Sequence, residues 1–175
     1  GPYLLDVTFS SATLPESPFE PNEIGVDAAE MGSTSFSISG EFIGDGPAGR
    51  RDTDYYHMAL TGPAIVEVTV RAQTSGSTLD PLLHIWNIRR VGEYISPFGS
   101  GFSEDADGGV DSRVSILVPY HELEFGSLFI RVSGTGNRRE PHRDIDPEPI
   151  GSVGPYDMEV TVTYFDGDGP GEPND

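Results

Sequence analysis

Ala64-Ile65-Val66-Glu67-Val68-Thr69-Val70-Arg71-Ala72 decides the fold. Val66, Val68 and Val70 alternate with Ile65, Glu67, Thr69 and Arg71, and a period of two is the mark of a strand with one face in a core. The valines are expected to face inward. Phe36-Ser37-Ile38-Ser39-Gly40-Glu41-Phe42 alternates in the same way. Asp54 to Leu60, Leu79 to Ile88, Arg113 to Pro119, Leu128 to Ser133 and Tyr156 to Phe165 complete the main set, with Glu93 to Ile95 as a short addition. Asp80-Pro81 suits the start of a strand, where the proline's missing N–H breaks no ladder. With 22 glycines and 15 prolines punctuating these runs, the pattern predicts an all-β chain. Its expected form is a jelly-roll-like antiparallel β-sandwich of about eight strands. Ala28 to Met31 reads as a single helical turn, residues 96–112 as a Gly/Ser/Asp loop, and 134–153 as a long polar insertion.

The 175 residues suffice for one domain with a proper core. Ten basic against 29 acidic residues leave a formal charge of −19, which repels phosphate backbones and anionic lipid surfaces. Nucleic acid is therefore excluded as a partner, and crowded carboxylates need counter-ions, divalent cations or a salt-adapted solvent. The absence of cysteine excludes disulfides, thiolate catalysis and cysteine-ligated zinc. No run approaches the ~20 apolar residues of a membrane span, and no charged-then-apolar secretion signal opens the sequence.

The chain also repeats itself. Gly1-Pro2-Tyr3-Leu4-Leu5-Asp6-Val7-Thr8-Phe9 is echoed by Gly154-Pro155-Tyr156-Asp157-Met158-Glu159-Val160-Thr161-Val162. Glu20-Pro21-Asn22-Glu23 is echoed by Glu172-Pro173-Asn174-Asp175 at nearly the same offset. Such self-similarity is the signature of an array. Residues 1–19 then read as the last strand of a preceding repeat, or a donated strand, plus a linker. Residues 20–165 form the sandwich, and 166–175 an acidic linker into a following repeat.

Four motifs occur in order: Glu20-Pro21-Asn22-Glu23, Asp52-Thr53-Asp54-Tyr55-Tyr56, Ser77-Thr78-Leu79-Asp80-Pro81-Leu82-Leu83, and Asp105-Ala106-Asp107-Gly108-Gly109-Val110-Asp111-Ser112. With Gly154-Pro155-Tyr156 they make residues 20–165 resemble the bacterial pre-peptidase C-terminal domain, a family related to the collagen-binding modules of clostridial collagenases. The resemblance implies a non-catalytic sandwich, secreted or displayed on the bacterial surface, often repeated and often calcium-stabilised. It nominates Glu20, Asn22, Glu23, Asp52 and Asp54 as calcium ligands. Those relatives carry a further acid where this chain has Pro18.

The chemistry of these side chains agrees, since calcium takes six to eight hard oxygens from carboxylates, amides and water together. The alternative is a set of solvated turn acids with Asn22 capping a helical turn. A second, weaker acidic cluster is Asp105, Asp107 and Asp111, joined by Asp80. Its Asp-x-Asp-Gly spacing opens like a calcium loop, but the glutamate that closes an EF-hand is missing. The alternative there is Asp111 bonding nearby backbone amides.

His57, His84, His121 and His142 form no metal or catalytic pattern, and no nucleophile elbow or phosphate loop is present. The sequence therefore predicts no enzyme. His84 reads as a half-buried, hydrogen-bonded histidine and Trp86 as core. Of Tyr55 and Tyr56, which point to opposite faces of one strand, at least one is core. Phe98 and Phe102 are the candidate exposed ligand-binding pair. Two functions compete: a calcium-stiffened structural or spacer repeat of a surface protein or fibre, polymerising through its first strand and partnered by copies of itself, and a collagen- or polysaccharide-binding module of a secreted hydrolase.

Overall fold

The computed structural model describes residues 17–22, 27–45, 52–91, 94–103, 111–118, 127–135 and 151–165, with the backbone alone over 87–91 and 94–103. The strands are β1 (Ala29–Glu30), β2 (Phe36–Ile43), β3 (Thr53–Ala59), β4 (Ala64–Arg71), β5 (Pro81–Val91), β6 (Tyr94–Ser103), β7 (Ser112–Val118), β8 (Ser127–Gly134) and β9 (Gly154–Tyr164). They form two sheets, ordered β1-β3-β8-β5-β6 and β2-β9-β4-β7. The pairs nest: β5 with β6, β4 with β7, β3 with β8 and β2 with β9, all antiparallel. A hairpin of four strand pairs folded over on itself, alternating between sheets, is the jelly roll that the turn spacing predicted.

Hydrophobic alternation holds the two sheets together. Val66, Val68 and Val70 on β4 are fully buried, as expected, and meet Met158 and Val160 of β9. From the facing sheet, Tyr56, Met58, Leu83, Ile85, Leu128, Ile130 and Val132 fill the other half of the interior.

Two expectations are corrected. Ala28 to Met31 is no helical turn: Ala29–Glu30 pairs in parallel with Tyr56 and His57 of β3, because the exposed edge of β3 offers ladder groups that a lone turn cannot match. Residues 96–103 of the expected loop belong to β6, so Phe98 and Phe102 stand on a strand, paired with Asn87 and His84. Ladder hydrogen bonds come from the backbone, so a Gly/Ser-rich partner is invisible to side-chain alternation. Both tyrosines are buried, in keeping with the expectation that at least one is core. Tyr56 lies in the sandwich interior, and Tyr55, on the outer face of the five-stranded sheet, packs edge-on against Trp86 at 5.8 Å. Trp86 is buried in this second layer, stacked on Phe129 and near His84.

The remaining break in pattern lies in β2. Gly40, at φ 77°, is an extra residue between the pairs Ser39–Asp157 and Glu41–Tyr156. Such a bulge re-aims the side chains that follow it. Strict alternation from Ile38 would send Glu41 to solvent; instead Glu41 and Ile43 are buried.

Candidate metal centre

Of the nominated residues, Glu20, Asn22, Asp52 and Asp54 meet at one end of the sandwich. Ser17 to Asn22 forms a turn in which Glu20 N donates to Ser17 O at 3.2 Å and Phe19 N to Ser17 Oγ at 3.1 Å. The Phe19 ring anchors it, edge-on to Tyr56 with centroids 6.1 Å apart. The Glu20–Pro21 peptide is cis. Beyond it, Asn22 O accepts the Tyr55 N–H at 3.0 Å, which ties this segment to the edge of β3. Asn22 is wholly buried, and its N–H donates to Glu20 Oε2 at 3.3 Å.

β2 and β3 supply the opposite wall. Asp52 is buried and accepts from Gly44 N at 2.6 Å and Thr53 N at 3.0 Å. Gly44 sits at φ 117°, and a Cβ there would press on the Val153 side chain at 3.1 Å. One carboxylate oxygen each from Glu20, Asp45 and Asp52 lies within 4.8 Å of the others. Among the described residues this is the one group of acids or histidines so arranged. Asp45 stands in Gly44-Asp45-Gly46-Pro47, seven positions before Asp52, and belongs to none of the motifs that nominated the other ligands.

Asp54 lies behind this trio, buried, its Oδ2 accepting the Tyr156 hydroxyl, which is itself 2.6 Å from Tyr56 Oη. Burial pushes the Asp54 carboxyl well above its ordinary 3.8; the Tyr156 hydrogen bond opposes this, while Asp52, Glu20 and Asp45 add to it. Burial likewise holds both tyrosine hydroxyls protonated. Glu41, turned inward by the bulge, accepts the Ser17 hydroxyl; its carboxyl is raised by burial, lowered by Ser17 and raised again by Asp45.

The Asn22 amide makes the fit to a cation concrete. One of its two polar atoms lies 3.3 Å from Asp54 Oδ1 and 3.2 Å from Glu20 Oε1. Nitrogen in that position donates to both carboxylates; oxygen there is one more hard donor facing the same space. Three mutually close carboxylates, a fourth behind them and an amide, with no nitrogen or sulfur ligand, suit a hard divalent cation of flexible coordination.

The other candidates separate. Asp111 receives Ala72 N at 2.8 Å, Gln73 N at 3.0 Å and Thr74 N at 3.4 Å, with the Thr74 hydroxyl on its other oxygen. It caps the 3-10 turn Gln73–Ser75. Burial tends to raise its carboxyl, but the Thr74 hydroxyl and the amides of Ala72, Thr74 and Gln73 outweigh it and leave the group below its ordinary value. The Asp80 backbone joins Ser152 and Thr135. Glu23, Asp105 and Asp107 lie outside the described residues, as do His121 and His142. His57 Nδ1 sits 2.7 Å from Glu30 Oε2 and its ring 4.7 Å from Phe129. Burial, with Arg131 nearby, lowers the half-buried His84.

The exposed face of the four-stranded sheet carries two ion pairs alongside the exposed Leu117. Arg71 pairs with Glu159 at 2.9 Å and Arg113 with Glu67 at 3.1 Å. With Thr69 and Thr161 they line a shallow depression of about 240 Å³. No helix among the described residues is long and apolar enough to cross a membrane.

No family model and no curated protein matches the chain. Among solved structures, the pre-peptidase C-terminal domain of a collagenase from Bacillus anthracis matches at 14% identity with TM-score 0.46, over 81% of this chain and 98% of that one. PliG, a periplasmic inhibitor of g-type lysozyme from Aeromonas hydrophila, matches at 14% identity with TM-score 0.43, over 77% and 100%. The chain is a jelly-roll β-sandwich similar to a pre-peptidase C-terminal domain.

Proposed function

We propose that this chain is a non-catalytic, extracellular β-sandwich that binds Ca²⁺ at its acidic end and serves as a structural spacer unit of a secreted or surface-displayed bacterial protein. The observation that carries the reading is the meeting of Glu20 with Asp45 and Asp52. Glu20 belongs to the segment that leads into the sandwich, whereas Asp45 and Asp52 belong to the sandwich itself. A cation shared by the three would clamp the leading segment to the domain and set the direction from which it arrives. Glu23 joins the proposed ligand set from the sequence motif, with Asn22 and Asp54 completing it.

Removing the cation leaves like charges in a partly desolvated space, a costly arrangement. Binding to the folded state alone stabilises by RT ln(1 + [L]/Kd), about 2.7 kcal/mol at a hundredfold excess over Kd. The ion pairs Arg71–Glu159 and Arg113–Glu67 on the outer face of the four-stranded sheet suit a solvated spacer surface. The test is thermal unfolding in chelator and in excess Ca²⁺. The reading requires a rise of several degrees with Ca²⁺ that Glu20→Ala and Asp52→Asn remove; identical melting curves reject it.

A further inference from the structure

An edge strand carries a row of N–H and C=O groups that invites another strand unless something guards it. Three of the four sheet edges are guarded. β1 has two residues. β2 carries the Gly40 bulge and turns the Glu41 carboxyl inward. β6 carries Pro97 and skips Gly99 in its register with β5. β7 has no proline, no glycine and no inward charge. It pairs with β4 in seven unbroken steps, and with no other strand among the described residues.

That edge is also incompletely covered. Ile116 belongs to the inner face, yet it is half-buried where its β4 partner Val66 is fully buried. Leu117, on the outer face, is 62% exposed, the most exposed large apolar residue described. β4 flanks both from one side. Charge narrows the partner. In a chain of 29 acidic and ten basic residues, β7 contains no acid and one base, Arg113, which pairs with Glu67 at 3.1 Å. Two copies meet here with less repulsion than a surface of this composition otherwise imposes. The strand also complements itself. Set antiparallel about a two-fold axis at Ser115, Val114 of one copy stands beside Ile116 of the other on the inner face. Arg113 stands beside Leu117 on the outer face, its aliphatic stem against the leucine, and the two arginines stay apart.

We infer that the β7 edge is a homodimer interface, where two copies of this chain join antiparallel about Ser115 into one continuous sheet, β2-β9-β4-β7-β7-β4-β9-β2. The contact is isologous and closes at two copies. It goes beyond the spacer reading by joining units side by side. It needs no cation and nothing from residues 1–9, which lie outside the described residues.

Sedimentation of the full chain over a range of concentrations, in chelator at physiological ionic strength, is expected to show a reversible monomer–dimer equilibrium. One strand pair is a small interface, so the dimer should be weak. Ser115→Lys sets two ammonium groups opposite each other across the axis, and each gains Glu67, the residue paired with position 115, within its own copy. The monomer keeps its fold and dimerisation is expected to weaken about tenfold. Because the chain lacks cysteine, Ser115→Cys reports the axis directly: opposed Cα atoms lie about 5 Å apart, within the span of a disulfide. Mild oxidation is expected to link Ser115→Cys chains in pairs, and far less Ser37→Cys chains, whose exposed cysteine lies on the guarded edge β2. Monomers of the parent at every concentration overturn the inference and leave the β7 edge to a strand of a different protein. So does a dimer that Ser115→Lys leaves intact, or one cross-linked equally at positions 37 and 115. The Ca²⁺-dependent melting shift, measured on Ser115→Lys, tests the metal reading separately.

Discussion

Tyr156 of β9 places its hydroxyl on Asp54 of β3, across the sandwich from one sheet to the other. This bond satisfies one oxygen of a carboxyl that has little access to water and orients it toward the acids in front. Tyr156→Phe keeps the ring and removes the bond, and leaves Tyr56 Oη without its 2.6 Å neighbour. A loss of about 1–3 kcal/mol is expected for a buried polar group deprived of its partner, measured by urea unfolding with unchanged m-value.

Asp54 sets the pH dependence of the metal-free protein. Its folded pKa lies well above the ordinary 3.8, so the folded state holds this proton more tightly than the unfolded one. Its favourable contribution is fully present below the unfolded value and is lost as pH rises through the folded one. In chelator, Asp54→Asn should flatten that part of the stability–pH curve and, near neutral pH, leave the variant at least as stable as the parent. In Ca²⁺ the order reverses, because the variant lacks a ligand. Melting temperatures across pH 4–8 in both conditions check this.

Asp111 behaves oppositely. Its folded pKa lies below the ordinary value, so its stabilisation is present above the unfolded pKa and fades as pH falls through the folded one. Asp111→Ala should cost about 1–2 kcal/mol at neutral pH, as the loss of a capping carboxylate does. The difference from the parent should shrink toward pH 3, and the Ca²⁺ response should remain intact.

Gly40 is the extra residue of β2. Nothing lies within 4 Å of a Cβ built there, so Gly40→Val suffers from its φ of 77° alone, about 1–2 kcal/mol. Deleting Gly40 removes the extra residue, so Ser39–Asp157 and Glu41–Tyr156 become neighbouring pairs and Glu41 and Ile43 keep the inward face they share with Ile38. A cooperative unfolding transition that survives the deletion is the expected result.

The formal charge of −19 predicts a fifth behaviour. Self-repulsion opposes the compact state and is screened within ~10 Å at 0.1 M salt. Melting temperature should therefore rise with NaCl even in chelator, by less than with Ca²⁺ at millimolar concentration.

Much of this protein was legible along the chain. Period-two alternation names its own buried face, so Val66, Val68 and Val70 could be placed without a partner in view, and turn residues spaced the strands closely enough to predict a jelly roll. Glu20, Asn22, Asp52 and Asp54 were nominated from short motifs and meet at one end of the sandwich. Their being ligands is the proposal that Ca²⁺ binding tests. What the sequence could not show depends on partners distant in the chain. β6 has no side-chain pattern of its own and exists because β5 offers a ladder. Glu41 points inward only because β9 pairs across a one-residue slip at Gly40. Asp45 joins Glu20 and Asp52 only once β2, β3 and the leading segment converge. Local sequence determines which residues shun water, since that is a property of each side chain and its period. Only the tertiary structure decides which acids become neighbours, because their proximity is set by strand register across the sandwich.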